Sequence, residues 1–283
     1  MTATAEAILA TLRIVDGERQ RRASDAALAN RVAGVKAFQQ LRFSHTYADL
    51  LGTTRYGAAT RFFLEELYGP ADFTRRDTQF ARVVPSMVRL FPQAVVDTVA
   101  ALADLHALSE TLDTAMASHL GDAPVMPLQY VRAWQETGRP KDRQIQISLT
   151  LSVAARLDQL THKPLLRNSL RLMRAPARAA GLAELQQFLE AGFDTFRSMK
   201  GAKEFMGIVQ TREQALASAL FDADLSGPMA KVEMGTVLAY LLSSLMIPQY
   251  SEPVAEQPHE FTFRRCGDDS LRARLAVIQQ HTV

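Results

Sequence analysis

The chain has 283 residues, 47% of them hydrophobic and 22% charged, with a formal net charge of +2. That length can bury a substantial core as one large or two small domains, and the composition excludes general disorder. The near balance of charge excludes a global pull toward nucleic acid, and the single cysteine, Cys266, excludes an intramolecular disulfide or a cysteine-based zinc site.

A first segment, Ala3 to Arg22, ends in a run of polar residues, and Ser24 reads as the N-cap of a long helix reaching Leu51. Leu28, Val32, Val35, Phe38 and Leu41 keep the spacing of one helical face. A helix over Thr54 to Tyr68 carries Tyr56, Thr60, Phe63 and Leu67 on one side and Phe62 and Leu64 elsewhere, which predicts cover on more than one face. Gly69-Pro70 ends it, because glycine takes the left-handed conformation and proline cannot continue the ladder. Thr74 then reads as an N-cap with Asp77 at the capping-box position. Phe80, Val83, Val84, Met87, Val88 and Phe91 form an amphipathic stripe beside a polar edge of Arg75, Gln79, Arg82, Ser86 and Arg89, with Pro85 as a kink or the true start.

Phe91-Pro92 opens a longer helix to Leu120, followed by a proline-containing loop and a short helix with Tyr130 and Trp134. Helices are predicted over Asp142–Leu160, where the alternation of apolar residues is also strand-like, and over Pro164–Arg174, Gly181–Met199 and Ala202–Phe221. Beyond Asp222 the texture changes. Met234–Met246 reads as a short apolar helix, Phe261–Phe263 as a strand and Asp269–Gln280 as a terminal helix, with three prolines between Ile247 and Pro258. The expectation is an all-α domain of about eight helices over residues 1–225, with a short, irregular C-terminal extension over 226–283.

The opening residues lack the basic start and continuous apolar core of a signal peptide. The longest nearly uncharged apolar run, Met234 to Ile247, falls short of the roughly twenty residues that span a bilayer. The expected setting is therefore cytoplasmic, with no membrane partner.

Three constellations could carry chemistry. Lys163, Arg167, Arg171, Arg174 and Arg178 recur at helical spacing, with no acidic residue between Asp158 and Glu184, and mark a candidate site for an anionic or protein partner. The competing account is a solvated face whose arginines find carboxylates elsewhere in the fold. The strip has no interleaved aromatics, which argues against single-stranded nucleic acid.

His106 sits at the margin of an apolar face, with Glu110 one turn on and Asp113 two turns on. It is a candidate haem ligand in a globin-like sensor, or one member of an enzymatic set with Asp104, Glu110 and Asp113. A hydrogen-bonded histidine at a helix contact is the structural alternative. A carboxylate-bridged metal site needs a Glu-x-x-His pair on each of two helices, and only Glu256 to His259 has that spacing, in a proline-rich stretch. Glu65, Glu66, Arg75, Arg76 and Asp77 form a knot of charge around Gly69-Pro70, but adjacent glutamates point about 100° apart on a helix and make no catalytic dyad. Ion pairing across the turn is the expected use.

No dinucleotide-binding, phosphate-binding, serine-elbow or zinc-protease motif is present. The run FFLEELYGPADFTRRDTQFARVVPSMVRLFP, with LADLHALSETLD further on, resembles a family of uncharacterised proteobacterial all-helical proteins over residues 40–222. That resemblance implies a helical domain and no particular activity. The function expected is non-enzymatic binding or regulation through a protein or anionic partner, with the haem-binding sensor as the alternative.

Overall fold

The computed structural model describes residues 3–67, 73–223 and 225, with only the backbone of Leu67 and Pro164. The Gly69-Pro70 break, the tail elements, Glu256, His259 and Cys266 lie outside these residues. The described residues are all-α, as expected, with no strand among them. The helices are α1 (Ala5–Ser24), α2 (Ala26–Thr46), α3 (Ala48–Leu51), α4 (Gly57–Phe62), α5 (Thr74–Leu90) and α6 (Gln93–Ala117). Then follow α7 (Pro127–Thr137), α8 (Pro140–Thr161), α9 (Pro164–Leu172), α10 (Arg174–Ala179), α11 (Ala183–Ser198) and α12 (Lys203–Asp222).

Local chemistry sets most boundaries, though not always through the residue first expected. Asp25, not Ser24, caps α2: its carboxylate accepts from the Leu28 backbone N–H at 2.9 Å. Ser24 instead turns its hydroxyl back to the Arg21 carbonyl. The long helix stops at Thr46, and Ala48–Leu51 is a separate single turn. After α4 the ladder widens into a π-helical turn over Phe63–Leu67. Phe62 and Phe63 are both buried, so this segment is indeed covered on two sides.

Helix α5 runs through Pro85 without ending, and Thr74 is its first residue rather than its cap. Residues 145–153 are helical within α8, which removes the strand-like alternative. The entry into α8 is a tight turn in which Gly138 at φ +64° precedes Arg139, itself left-handed at φ +58°. Pro140 then occupies the first turn of the helix, where its missing N–H costs nothing.

Helix α6 is the centre. From Val95 to Ala117 only Asp104 is exposed, because α1, α2, α5, α7 and α8 all pack against it. Of three apolar clusters, two include residues of α6. The first joins α1 to α5 and the first half of α6 through Ile8, Leu12, Val84, Val96 and Ala103. The second brings α2 against the end of α6, α7 and α12 through Val32, Val35, Phe38, Met116, Tyr130 and Leu216. The third gathers Phe43 of α2, Tyr47 after it, Phe63 of the π-helical turn, Phe196 of α11 and Phe205 of α12. At the α4–α11 crossing, Gly192 lets the Phe62 ring approach so closely that a Cβ would stand 3.1 Å from it.

Burial of this kind makes a direct demand on α6. Leu112 is fully buried, so Leu112→Ala removes apolar contact and leaves a cavity that the surrounding helices fill only in part. Chemical denaturation of this variant is expected to show a loss of about 2–5 kcal/mol.

Candidate functional site

The polar residues on the buried helix α6 are the first place to look for chemistry, and His106, Glu110, Asp113 and Asp104 are each engaged by another helix. The His106 ring nitrogen Nε2 stands 3.0 Å from Asp77 Oδ2 of α5, and Arg19 of α1 pairs with the same oxygen. Glu110 lies between Lys36 Nζ of α2 at 2.5 Å and Arg22 Nη2 of α1 at 2.6 Å. Asp113 accepts from the Gln39 amide at 3.0 Å, and exposed Asp104 accepts from the Thr11 hydroxyl at 3.1 Å. His106, Glu110 and Asp113 thus line one edge of α6 as their spacing predicts, but they face three different sets of partners. They do not converge on a shared site.

The electrostatics separate these carboxyls. Burial pushes Asp77 up, but the hydrogen bonds and charges of His106 and Arg19 outweigh it and hold the group below the usual carboxylate range. Burial acts on Glu110 in the same sense, and Lys36 and Arg22 reverse it. Asp113 has the opposite outcome: burial raises it, the neighbouring Glu110 adds to the rise, and Lys36, Arg143 and Gln39 do not offset the two.

For the haem expectation, the decisive atom is Nε2 of His106. An axial ligand presents this nitrogen to an apolar slot wide enough for the macrocycle. Here Nε2 faces the Asp77 carboxylate, inside a group that includes Arg19. The surroundings do not fit the cofactor. Among the described residues no group of three or more His, Cys, Asp or Glu side chains is arranged to hold a metal ion.

The charge knot divides in two. Arg76 crosses to the end of α4's π-helical turn and bonds both the Glu66 carbonyl and its carboxylate, at 3.3 and 3.2 Å, while its guanidinium is stacked between Phe73 and Phe188 at 4.0 and 4.2 Å. Arg75 instead reaches Glu184 of α11 at 3.0 Å. Gln79, expected on the polar edge of α5, is buried, and its side-chain oxygen accepts from the Leu185 backbone N–H at 3.0 Å. It serves α11 as an N-terminal cap supplied from another helix. No sequence signal could have shown this, because a capping residue is sought next to the helix it caps.

The basic strip is interrupted. Helix α9 ends at Leu172 and α10 starts at Arg174, so the five cations do not share one continuous edge. Arg167 pairs with Asp194 at 2.9 Å, and Arg174 grips both oxygens of Glu190, its hydrogen bonds holding that carboxyl down to about 2. These two arginines pin α9 and α10 to α11. Lys163, Arg171 and Arg178 are exposed and form no direct ion pair with a described residue.

Beside them stands a feature that the sequence reading passed over. Leu165 and Leu172 are each 78% exposed and Met173 is 46% exposed. Leu165 and Leu172 are seven residues apart, two turns of one helical face. Their exposure was not legible in a stretch that reads as an ordinary core-facing helix.

Residues 18–226 match a family described as a domain of unknown function (DUF8198). The chain belongs to that family. No curated protein and no solved structure matches it. The resemblance to an uncharacterised family therefore holds. Among the described residues no helix is long and apolar enough to cross a membrane.

Two outcomes test the α6 network. Asp77 and Glu110 carry depressed values, so their stabilisation is present above the unfolded-chain values of 3.8 and 4.5 and is lost as pH falls through the lower folded values. Asp113, being raised, acts with the opposite sign and costs stability as pH rises from 3.8 through its folded value. Asp77→Asn is thus expected to flatten the acid limb of a stability-versus-pH curve from denaturant titrations. Glu110→Gln leaves Arg22 and Lys36 facing a neutral amide and is expected to cost about 3 kcal/mol by the same titration, at the low end for a buried pair because Lys36, 20% exposed, can regain solvent.

Proposed function

We propose that this is a non-enzymatic binding protein that docks an acidic, partly apolar segment of another protein on the exposed edge of α9 and α10. The observation that carries this reading is the pairing of Leu165 and Leu172, each 78% exposed, with Lys163, Arg171 and Arg178, which are not taken up by direct ion pairs among the described residues. Two large aliphatic side chains in water on one face of a nine-residue helix are an unspent source of binding free energy, roughly 25 cal/mol per Å² once covered. The cations beside them select a partner of opposite charge and speed its approach.

The α6 residues support the non-enzymatic part, since His106, Asp104, Glu110 and Asp113 each engage a different structural partner. Charge complementarity alone also fits an anionic lipid surface. Protein is favoured because no Phe, Tyr or Trp lies between His162 and Leu182, whereas helices that settle into a lipid interface use aromatic anchors. Arg167 and Arg174, committed to Asp194 and Glu190, hold the docking edge rather than contact the partner.

A photo-crosslinking amino acid placed at Leu165 in cells tests the proposal, with Leu90, equally exposed but on α5, as the control position. Adducts to a protein with an acidic segment are expected at 165 and not at 90. They should weaken with added salt and disappear when Lys163, Arg171 and Arg178 are all changed to Gln. Equal labelling at both positions, no adduct at 165, or purified protein that sediments with phosphatidylserine vesicles through this edge would overturn it.

A further inference from the structure

The exposed edge of α9 and α10 also constrains the form of what it binds. An extended segment docks by adding to the free edge of a sheet, and no strand is present among the described residues. An α-helix spends its backbone groups on its own ladder and presents no such row of free N–H and C=O groups. A polyproline segment docks in a groove lined by aromatic rings, and no Phe, Tyr or Trp lies between His162 and Leu182. A helical segment needs neither. It satisfies its own backbone and asks only for side-chain contact.

Four residues of α9 have the spacing that such contact requires. Leu165, Asn168, Ser169 and Leu172 are all exposed and stand at i, i+3, i+4 and i+7, the positions that bound one hole in knobs-into-holes packing. Leu166 and Leu170 are half-buried, and the helix rests on α8 and α11. The Ser169 hydroxyl donates to the Leu165 carbonyl at 2.9 Å, so the hole has a small floor whose donor is already satisfied. An apolar side chain can enter there without stranding a polar group. Lys163 and Arg171 flank the hole along the chain. Glu190 feels the charge of Arg171, but its oxygens are held by Arg174 and Gln186. One carboxylate between two guanidinium groups leaves positive charge over.

We propose that the segment docked here is an amphipathic α-helix that sets one large apolar side chain into the hole between Leu165 and Leu172 and carries carboxylates on its flanks for Lys163 and Arg171. This inference rests on the docking reading and adds the form of the partner. With nine residues, α9 presents a single such hole, so the contact runs over about two turns. A helix that short is marginal in water, and the segment therefore coils as it docks. The spacing of its apolar residues, more than its charge, decides whether it is accepted.

Two dye-labelled peptides of identical composition serve as probes, each of about fifteen residues of Leu, Glu and Ala. One spaces its leucines i, i+3, i+4 and i+7, and the other alternates them as a strand would. Titrated with the full chain, the first is expected to give a saturable rise in anisotropy at a half-saturation at least tenfold below that of the second. Its carbon-13 Cα shifts should move to helical values on binding. Leu165→Ser and Ser169→Arg, both at exposed positions that do not threaten the fold, are each expected to weaken binding threefold or more. Ser169→Arg is the sharper variant, because attraction by charge alone would tighten with an added cation, whereas a filled hole weakens. No saturable binding of the first peptide below about 1 mM, non-helical shifts in the bound peptide, or tighter binding to Ser169→Arg would overturn the proposal. An alternating peptide that binds equally well, and loses binding in Leu165→Ser, overturns the helical form while the docking edge stands. Failure of the docking edge itself is read separately, as the absence of an adduct at Leu165.

Discussion

The structure depends on one constraint: a central helix, α6, is covered on nearly every side and yet carries ionised groups on its buried surface. A carboxylate cannot be removed from water without a partner, because the desolvation cost runs to several kcal/mol per ion. Glu110 therefore requires Arg22 from α1 and Lys36 from α2, while Asp113 requires Gln39 from α2. The same principle binds Asp77 on α5 to Arg19 and to His106. Apolar packing would tolerate a helix that slides or rotates by part of a turn, since hydrophobic contact is not directional. The ion pairs do not, and they set the register of α1, α2 and α5 on α6. Their contribution lies in arrangement more than in net stability, which a well-packed aliphatic pair could match.

A second group of charges works at the periphery in the same way. Arg212 of α12 bonds both oxygens of Asp49 at 2.8 Å and the Thr46 carbonyl at 2.7 Å, tying α12 to the corner between α2 and α3. Arg167 and Arg174 tie α9 and α10 to α11. Once these arginines are committed, what remains on α9 and α10 is distinctive: exposed cations beside exposed leucines. A fold that satisfies its charges so thoroughly elsewhere makes this remainder a reasonable seat for an interaction outside the chain.

The helical fold was readable because its signals are local. The stripe Leu28, Val32, Val35 and Phe38 is buried along its length, and double cover was apparent where Phe62 stands beside Phe63. Errors arose where a tertiary partner replaced a local one. Asp77 has the spacing of a capping box but is spent on Arg19 and His106, and Gln79 looks like a solvent-facing residue but caps a helix over a hundred positions away. The basic strip was seen as a strip, although the competing account, arginines meeting carboxylates from elsewhere, is what Arg167 and Arg174 do.

By itself the sequence determined the all-α class, most helix limits and which faces are apolar, because periodicity, caps and proline positions act within a turn or two of the residue that carries them. It also placed His106, Glu110 and Asp113 along one edge of α6. Only the tertiary structure decided what those residues meet, because a charge is paired by whichever helix crosses it and the crossing is set by packing across long separations in the chain. The same holds for the site candidates. Side-chain type marks a leucine as apolar and an arginine as charged, but whether each is covered, paired or left to a partner is a property of the assembled helices.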